Sequence, residues 1–289
     1  MTPDTMVYAS TRRGYQPALV NTTTSVSQYL TTPKLMIDDV EAGIKSEGRF
    51  GTIPWRFNGA AYYEWLRDSH RGGFGGIIDP RTNLSVGAVL PVQKAIVKRL
   101  EAELKVIAAH WVQVSMFADY IDAQYKTFTA PILGVDPTDP PCADSATRPQ
   151  CRTIVTGSQD LSKDDFSYAP MHHFGSTVRL SLPTSRGLGD VSLTATYYHQ
   201  AKYHFASTSQ EPEAVVEPQN LVNLRLDWKN VLKSRVDLAA YVRNATNQTY
   251  LVGGDSQQGS TGITYGLYGE PRMYGVESPC PVLTSWSCS

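Results

Sequence analysis

The sequence predicts an all-β protein whose antiparallel strands form a transmembrane β-barrel. Three observations lead to this fold class. Only 18% of the 289 residues are charged, while 16 are Tyr and 5 are Trp, and soluble proteins average about 25% charged residues. Apolar and polar residues alternate in many short segments, which is the pattern of strands with one apolar and one polar face. Short and long connections also alternate between these segments, as they do in membrane barrels.

Ten strands are predicted from the period-two alternation. In the clearest segment, Leu221–Trp228, apolar residues occupy the even positions up to Trp228, and Asn223, Arg225 and Asp227 occupy odd ones. The segment Val92–Leu104 also fits a helical spacing, but the alternation of its charged residues favours a strand. In chain order the predicted strands are Asp4–Gly14, Asp38–Glu47, Trp55–Trp65, Val92–Leu104, Val112–Tyr120, Thr177–Leu182, Val191–Tyr198, Leu221–Trp228, Arg235–Ala245 and Ile263–Val276.

The connections between these strands alternate in length. The short ones are Gly48–Pro54, Val106–His110, Pro183–Gly189 and Lys229–Ser234. The long ones are Tyr15–Ile37, Ser69–Pro91, Thr127–Ala169, Ala206–Pro218 and Thr246–Gly262. In an outer-membrane barrel the short connections are periplasmic turns and the long ones are extracellular loops. A loop of about forty residues is uncommon in a compact soluble domain, so the lengths favour the barrel.

Charge and hydropathy exclude other classes of protein. Lys and Arg total 26 and Asp and Glu total 27, so the formal net charge is −1. Nucleic-acid binding needs a basic excess, so no nucleic-acid partner is predicted. No apolar run approaches the roughly 20 residues of a transmembrane helix. The start, Met1 to Asp4, lacks the basic and apolar segments of a signal peptide. The sequence therefore predicts either that this chain is not exported or that its start is missing.

Five segments in chain order carry a resemblance to one family. They are Val7–Pro17, with a tyrosine, a small pair and Gly-Tyr-Gln-Pro; Asp39–Ser46, with Glu-Ala-Gly-Ile-Lys; Asn58–Tyr63; Asn220–Tyr250; and Gly269–Val276. Together they resemble the C-terminal half of a TonB-dependent outer-membrane receptor, over residues 1–277. The chain departs from the family pattern at Ala18, where the family prefers Gly, and after Glu277, where the family continues to a terminal aromatic residue.

The resemblance implies a barrel of the 22-stranded type with a plugged lumen, of which this chain would hold about ten C-terminal strands. Residues 1–277 would form the partial barrel and residues 278–289 an atypical unstructured tail. The family implies a location in the outer membrane of a Gram-negative cell, surrounded by lipid, and active uptake of a scarce bulky solute such as an iron–siderophore complex. A TonB-type protein would supply energy only through a plug domain that this chain lacks, so we expect no transport by the chain alone. The alternatives are a small closed barrel acting as a passive pore or adhesin, and a soluble β-sandwich binding module.

Polar side chains of the predicted strands are the candidate functional residues. The interior of a membrane barrel is polar, so the alternation predicts a set of lumen-lining residues. They could border a permeation path or hold a plug, or they could be the paired charges of any water-filled lumen. The set is Arg56, Glu64, Arg99, Glu101, Arg179, Arg225, Asp227 and Arg243, with Glu103 and Asp237 on the same predicted face.

Cysteine spacing and motifs predict little further chemistry. Cys142 and Cys151 lie in a loop rich in Pro and Asp and could form a disulfide or remain free thiols. The chain has no Cys-x-x-Cys pair, so no zinc site is predicted. It also has no nucleophile elbow and no cofactor fingerprint. The sequence therefore predicts neither an enzyme nor a bound cofactor.

Overall fold

The computed structural model describes residues 4–22, 24, 29–79, 84–135, 154–185, 187–206, 213–257 and 263–278. Nearly all of its regular structure is β-strand. Its elements are β1 Thr5–Gln16, β2 Leu35–Phe50, β3 Ile53–Asp79, β4 Leu84–Ala109, β5 Val112–Thr127, β6 Thr129–Val135, β7 Ile154–Asp160, β8 His172–Leu182, β9 Asp190–Gln200, β10 Tyr203–His204, β11 Val215–Val216, β12 Gln219–Lys229, a short 3-10 turn Val231–Lys233, β13 Leu238–Arg243, β14 Leu251–Gln257, β15 Ile263–Tyr268 and β16 Met273–Glu277. Within the described ranges, no helix is long and apolar enough to cross a bilayer.

Ten of these strands form one antiparallel sheet in the order β1-β2-β3-β4-β5-β8-β9-β12-β13-β16. Each strand pairs with the next one of this series along the chain, so the sheet is an up-and-down meander. The sheet is not closed, because β1 and β16 lie at opposite edges and do not pair with each other in the described residues. The predicted all-β antiparallel fold is therefore confirmed, as one open ten-stranded sheet.

Short turns lie at one end of the sheet, and at the other end four of the five predicted long connections are present, all except the one between β3 and β4. Residues 51–52 join β2 to β3, and residues 110–111 join β4 to β5. Gly51 has a φ of 62°, in the left-handed region that glycine adopts at little cost. Three two-stranded hairpins extend the long connections: β6-β7, β10-β11 and β14-β15.

The predicted loop Ser69–Pro91 is wrong, because β3 continues to Asp79 and β4 begins at Leu84. The segment is rich in glycine, which weakens a strand. Instead the β3–β4 ladder shifts register between Arg71 and Phe74 and again between Phe74 and Ile77. Such bulges accommodate extra residues within a continuing strand. The strand predicted at 92–104 is confirmed as part of β4, against the helical alternative.

The predicted last strand, Ile263–Val276, is also wrong as one element. It divides into β15, which pairs with β14, and β16, which pairs with β13. Between them, the Gly269 amide donates to the carbonyl of Tyr250 at 2.9 Å, and Pro271 has no amide hydrogen for a strand ladder. Of the predicted tail 278–289, only Ser278 lies within the described residues.

The buried apolar side chains form two clusters at the long-connection end of the sheet. The first includes Val92, Phe128 and Leu161, each at most 1% exposed, and the second includes Phe205 and Val216. Large apolar side chains on the ten-stranded sheet itself are exposed, among them Leu100, Met116 and Leu224. A soluble β-sandwich would instead bury such a face against a second sheet.

Candidate functional site

The strand register divides the ten-stranded sheet into a polar and an apolar face. Residues directly opposite each other in an antiparallel pair project from the same face. One such row crosses six strands through Arg56, Lys105, Ser115, Thr177, Thr196 and Asn223. Applied to every strand, the register brings all eight predicted residues to one face: Arg56, Glu64, Arg99, Glu101, Arg179, Arg225, Asp227 and Arg243. Their lining of a lumen stays a prediction.

Towards the long connections, Arg12 on β1 holds two carboxylates of β2. Its Nη2 lies 2.6 Å from Asp39 Oδ2 and 2.8 Å from Glu41 Oε2. The Tyr8 hydroxyl donates to Glu41 Oε1 at 2.7 Å. Asp39 and Glu41 are only 7% and 8% exposed, so their pairing offsets the cost of burying two negative charges. The sequence predicted these two strands but not this network. The signal was present, because Tyr8 and Arg12 on β1, and Asp39 and Glu41 on β2, occupy alternate positions of their strands.

At the centre of the polar face, Arg99 contacts two carboxylates. Its Nη2 lies 2.6 Å from Glu101 Oε1 and 3.6 Å from Asp119 Oδ1. Asp119 also contacts His173 Nε2 at 3.0 Å, and the Tyr62 hydroxyl donates to Glu101 at 3.1 Å. Four strands, β3, β4, β5 and β8, are therefore joined by charged and polar side chains on this face.

The two adjacent histidines project to opposite faces, as the strand pattern predicts. His173 belongs to the polar face, opposite Asp119. The His172 ring stacks on His199 with ring centroids 5.4 Å apart, and Phe174 stacks on His199 at 4.7 Å. A shared metal site for the adjacent pair is therefore disfavoured, since their rings point apart.

A cavity of about 530 Å³ opens over the central network. Besides Arg99, Glu101 and Asp119 it is lined by Lys45 and Phe117. Cationic and anionic groups both line it, so it can hydrogen-bond a polar partner through both donors and acceptors. In the part of the chain that the structure describes, no three His, Cys, Asp or Glu residues are grouped to hold a metal ion.

The other predicted residues make local contacts, of which those of Arg56, Arg179 and Arg225 lie nearer the short turns and that of Arg243 lies at the long connection after β13. The pairs are Arg56–Glu47 at 2.9 Å, Arg225–Asp227 at 2.9 Å, Arg225–Glu277 at 2.9 Å, Arg243–Glu270 at 3.5 Å and Arg179–Ser192 at 3.3 Å. Glu64 lies opposite Asp39 and Val97 rather than opposite a cation. Most of these side chains are well exposed, and exposed ion pairs contribute little to stability. Their arrangement fits the paired charges of a hydrated surface.

Arg71 connects the long connections to one another beyond the sheet. Its guanidinium donates to the Tyr125 hydroxyl, to Ser167 Oγ and, at 2.9 Å, to the carbonyl of Ala206. Burial lowers the pKa of this guanidinium from its ordinary value. Tyr125 packs against Phe166 with ring centroids 4.3 Å apart. We call these five residues the connection cluster. It joins β3 and β5 to the segments before β8 and after β10.

The possible disulfide between Cys142 and Cys151 lies outside the described residues. It stays a prediction.

Comparison with known proteins addresses the fold. No protein-family model matches the chain, and no curated protein matches it. Solved structures do match, at 14–16% identity and each over 96% of this chain. They include the ferric yersiniabactin uptake receptor FyuA from Yersinia pestis (15% identity, TM-score 0.64), the siderophore receptor PiuA from Acinetobacter baumannii (15%, 0.63) and the ferric-catecholate import receptor Fiu from Escherichia coli K12 (14%, 0.59).

The chain has a fold similar to part of the β-barrel of these receptors. It spans about a third of the length of these receptors, covering 35%, 34% and 33% of FyuA, PiuA and Fiu. The resemblance to TonB-dependent receptors is thereby confirmed for the fold. At this level of identity the match concerns architecture, and the neighbours are transport receptors rather than enzymes.

Proposed function

We propose that this chain forms part of the barrel wall of an outer-membrane receptor for active uptake of a scarce, bulky solute. The observation that carries the proposal is the division of one open, ten-stranded sheet into an exposed apolar face and a charged, hydrogen-bonded polar face. An exposed apolar face is stable in contact with lipid, and a charged face is stable in contact with water, as in a membrane barrel. Residues 1–277 are the proposed barrel unit.

The apolar face fits the bilayer in length and composition. On β3 it extends from Trp55 to Trp65, eleven residues, and a membrane strand needs about 9–11. Aromatic residues lie near both ends of this band: Trp55 stacks on Phe50 with centroids 5.4 Å apart, and Tyr63 contacts Trp65 at 4.5 Å. Aromatic girdles at both interfaces are typical of outer-membrane barrels.

The polar face would then border the lumen. The eight residues predicted there include Arg99 and Glu101 in the central network, and the cavity over that network gives a polar partner a place to bind. We propose that these residues hydrate the lumen and contact whatever domain fills it. A TonB-type protein would act through such a plug domain. The proposal assigns the chain no catalytic chemistry and no cofactor.

The ligand would bind at the long connections, which are the extracellular side in this orientation. The connection cluster around Arg71 supports a defined shape there, since it holds several connections together. The matched receptors are described as taking up ferric yersiniabactin, siderophores or ferric catecholates. An iron–siderophore complex is therefore the first solute class to test.

Site-directed spin labelling tests the assignment of the faces. Ser115 and Met116 are neighbours on β5 that project to opposite faces. In a cysteine-free chain reconstituted in vesicles, a label on Met116→Cys should collide with oxygen dissolved in the lipid. A label on Ser115→Cys should collide with a water-soluble nickel complex. Equal accessibility at both positions, or the reverse order, would refute the proposal.

Two further outcomes separate the alternatives. A heat-modifiable folded form with stable conductance in planar bilayers would favour a small closed barrel, and a detergent-free soluble monomer would favour a binding module. We also expect cells producing only this chain to show no energy-dependent uptake of ferric siderophores. Appreciable uptake would contradict the proposal that the chain is only part of the wall.

A further inference from the structure

Charged side chains on the apolar face of the ten-stranded sheet are confined to one place. Among the described residues they lie only on β1 to β5, towards the long connections and next to Trp65. We call this group the rim cluster. It consists of Arg13, Asp38, Arg67, Lys94, Lys98, Asp122 and Lys126. The apolar face of β8, β9, β12, β13 and β16 carries no charged residue in its described part.

The two carboxylates of the rim cluster are already occupied by cations. Asp38 accepts from Arg13 and, at 2.7 Å, from Arg67. Asp122 lies 3.2 Å from Lys98 Nζ and also accepts from Gln124 at 2.8 Å. The cluster therefore has five cations and two carboxylates, a surplus of three positive charges.

Two of the cations face each other directly. Arg67 on β3 is the cross-strand partner of Lys94 on β4, and like charges in that relation are destabilising. Within the described residues, no carboxylate lies within ion-pair distance of Lys94 or Lys126. The side chains of Lys94 and Lys126 are exposed. The surplus charge is thus presented outwards, where an external anion would relieve the repulsion.

We propose that the rim cluster binds the phosphate groups of anionic membrane lipids. This inference rests on the proposed function, because it takes the apolar face to be in contact with lipid. Trp65 and Ile96, which lie opposite each other next to the cluster, would contact the acyl chains while the cations contact the headgroup. Clusters of Lys and Arg at a membrane surface bind anionic lipid through this complementarity. A phosphate also accepts the forked donors of arginine well.

Quenching of Trp65 by brominated lipids provides the test. The full chain, with its other four tryptophans replaced by Phe, is reconstituted in vesicles containing brominated phosphatidylglycerol or brominated phosphatidylcholine. Each cation near an anionic surface contributes roughly fivefold in affinity. We therefore expect a preference of several-fold for phosphatidylglycerol at Trp65, falling towards unity in the double variant Arg67→Gln/Lys94→Gln.

The matched control is Lys45→Gln/Lys105→Gln, which removes the same charge from the polar face of neighbouring strands; its lipid preference should be unchanged. A salt series needs no change in the rim cluster, so it tests the inference even if the double variant fails to fold. Raising NaCl from 0.1 M to 1 M shortens the Debye length from about 10 Å to about 3 Å. The preference for phosphatidylglycerol should then disappear. Equal quenching by both lipids at low salt would overturn the inference while leaving the proposed function intact. Absence of quenching by either lipid would instead overturn the proposed function. A third outcome is that the protein forms a dimer, which the Arg67/Lys94 variant loses without a change in lipid preference. That result would assign the cluster to self-association and would also overturn the inference.

Discussion

The change in the free energy of unfolding caused by Leu100→Lys distinguishes a sheet face in contact with lipid from one in contact with water. Leu100 is 57% exposed and lies opposite Ala61 and Tyr120, within the band between Trp55 and Trp65. In water, an exposed Leu→Lys change alters the free energy of unfolding by less than about 0.5 kcal/mol. On the lipid face of an outer-membrane barrel, a lysine near the midplane costs about 2–4 kcal/mol. The two environments therefore predict effects that differ severalfold.

The measurement is urea unfolding of the chain reconstituted in vesicles, followed by tryptophan fluorescence. Thr196→Lys is the control, because Thr196 projects from the polar face between Thr177 and Asn223, which are uncharged. It loses one weak contact to Thr177 at 3.4 Å, so its cost should stay below about 1 kcal/mol. If Leu100→Lys were no more destabilising than Thr196→Lys, the assignment of the apolar face to lipid would be wrong.

Three further predictions concern the connections and the packing of the sheet. Arg71→Met should destabilise the connection cluster by about 2–4 kcal/mol, since three donated hydrogen bonds are lost while a buried charge is removed. Amide hydrogen exchange in the cluster should accelerate in Arg71→Met, and it should accelerate less in Arg71→Lys. Gly43→Val should cost about 1–3 kcal/mol, because a Cβ would lie 2.4 Å from a tyrosine ring, whereas Gly187→Ala, with open space around it, should leave the urea midpoint unchanged. Non-reduced peptide mapping should find Cys142 linked to Cys151, and two alkylated thiols would contradict the predicted loop disulfide.

Alternation predicted the strands and their faces because both depend on local sequence. A period of two fixes which side chains share a face whatever the strand pairs with. The eight candidate residues were found on one face for that reason. Their contact partners depend on register, which short turns set locally, as the two residues after Phe50 do for β2 and β3. Between β5 and β8 the connection is long, so the contact between Asp119 and His173 had no local indication.

Both failures of the sequence reasoning concern strand limits, which depend on the pairing partner as well as on the local sequence. The extension of β3 and β4 contains five glycines and Pro91, and these residue types weaken strands individually. The paired length of the hairpin and the buried cluster around Val92 and Phe128 compensate for them. The split of the last predicted strand arises in the opposite way. Alternation continues across Gly269 and Pro271, but β15 pairs within a loop hairpin while β16 pairs in the sheet.

The two edges of the sheet favour completion by further strands over closure on themselves. Ten strands are an even number, so β1 and β16 could meet in antiparallel fashion, as the strands of small outer-membrane barrels do. Their lengths do not match, however: β1 has twelve residues and β16 has five. Direct closure would leave about seven residues of β1 without strand partners, and each unpaired backbone group in the hydrocarbon costs several kcal/mol. A longer strand along β1 would pair all twelve. The energetics of the edges thus support the proposal that this sheet forms part of the wall of a larger barrel.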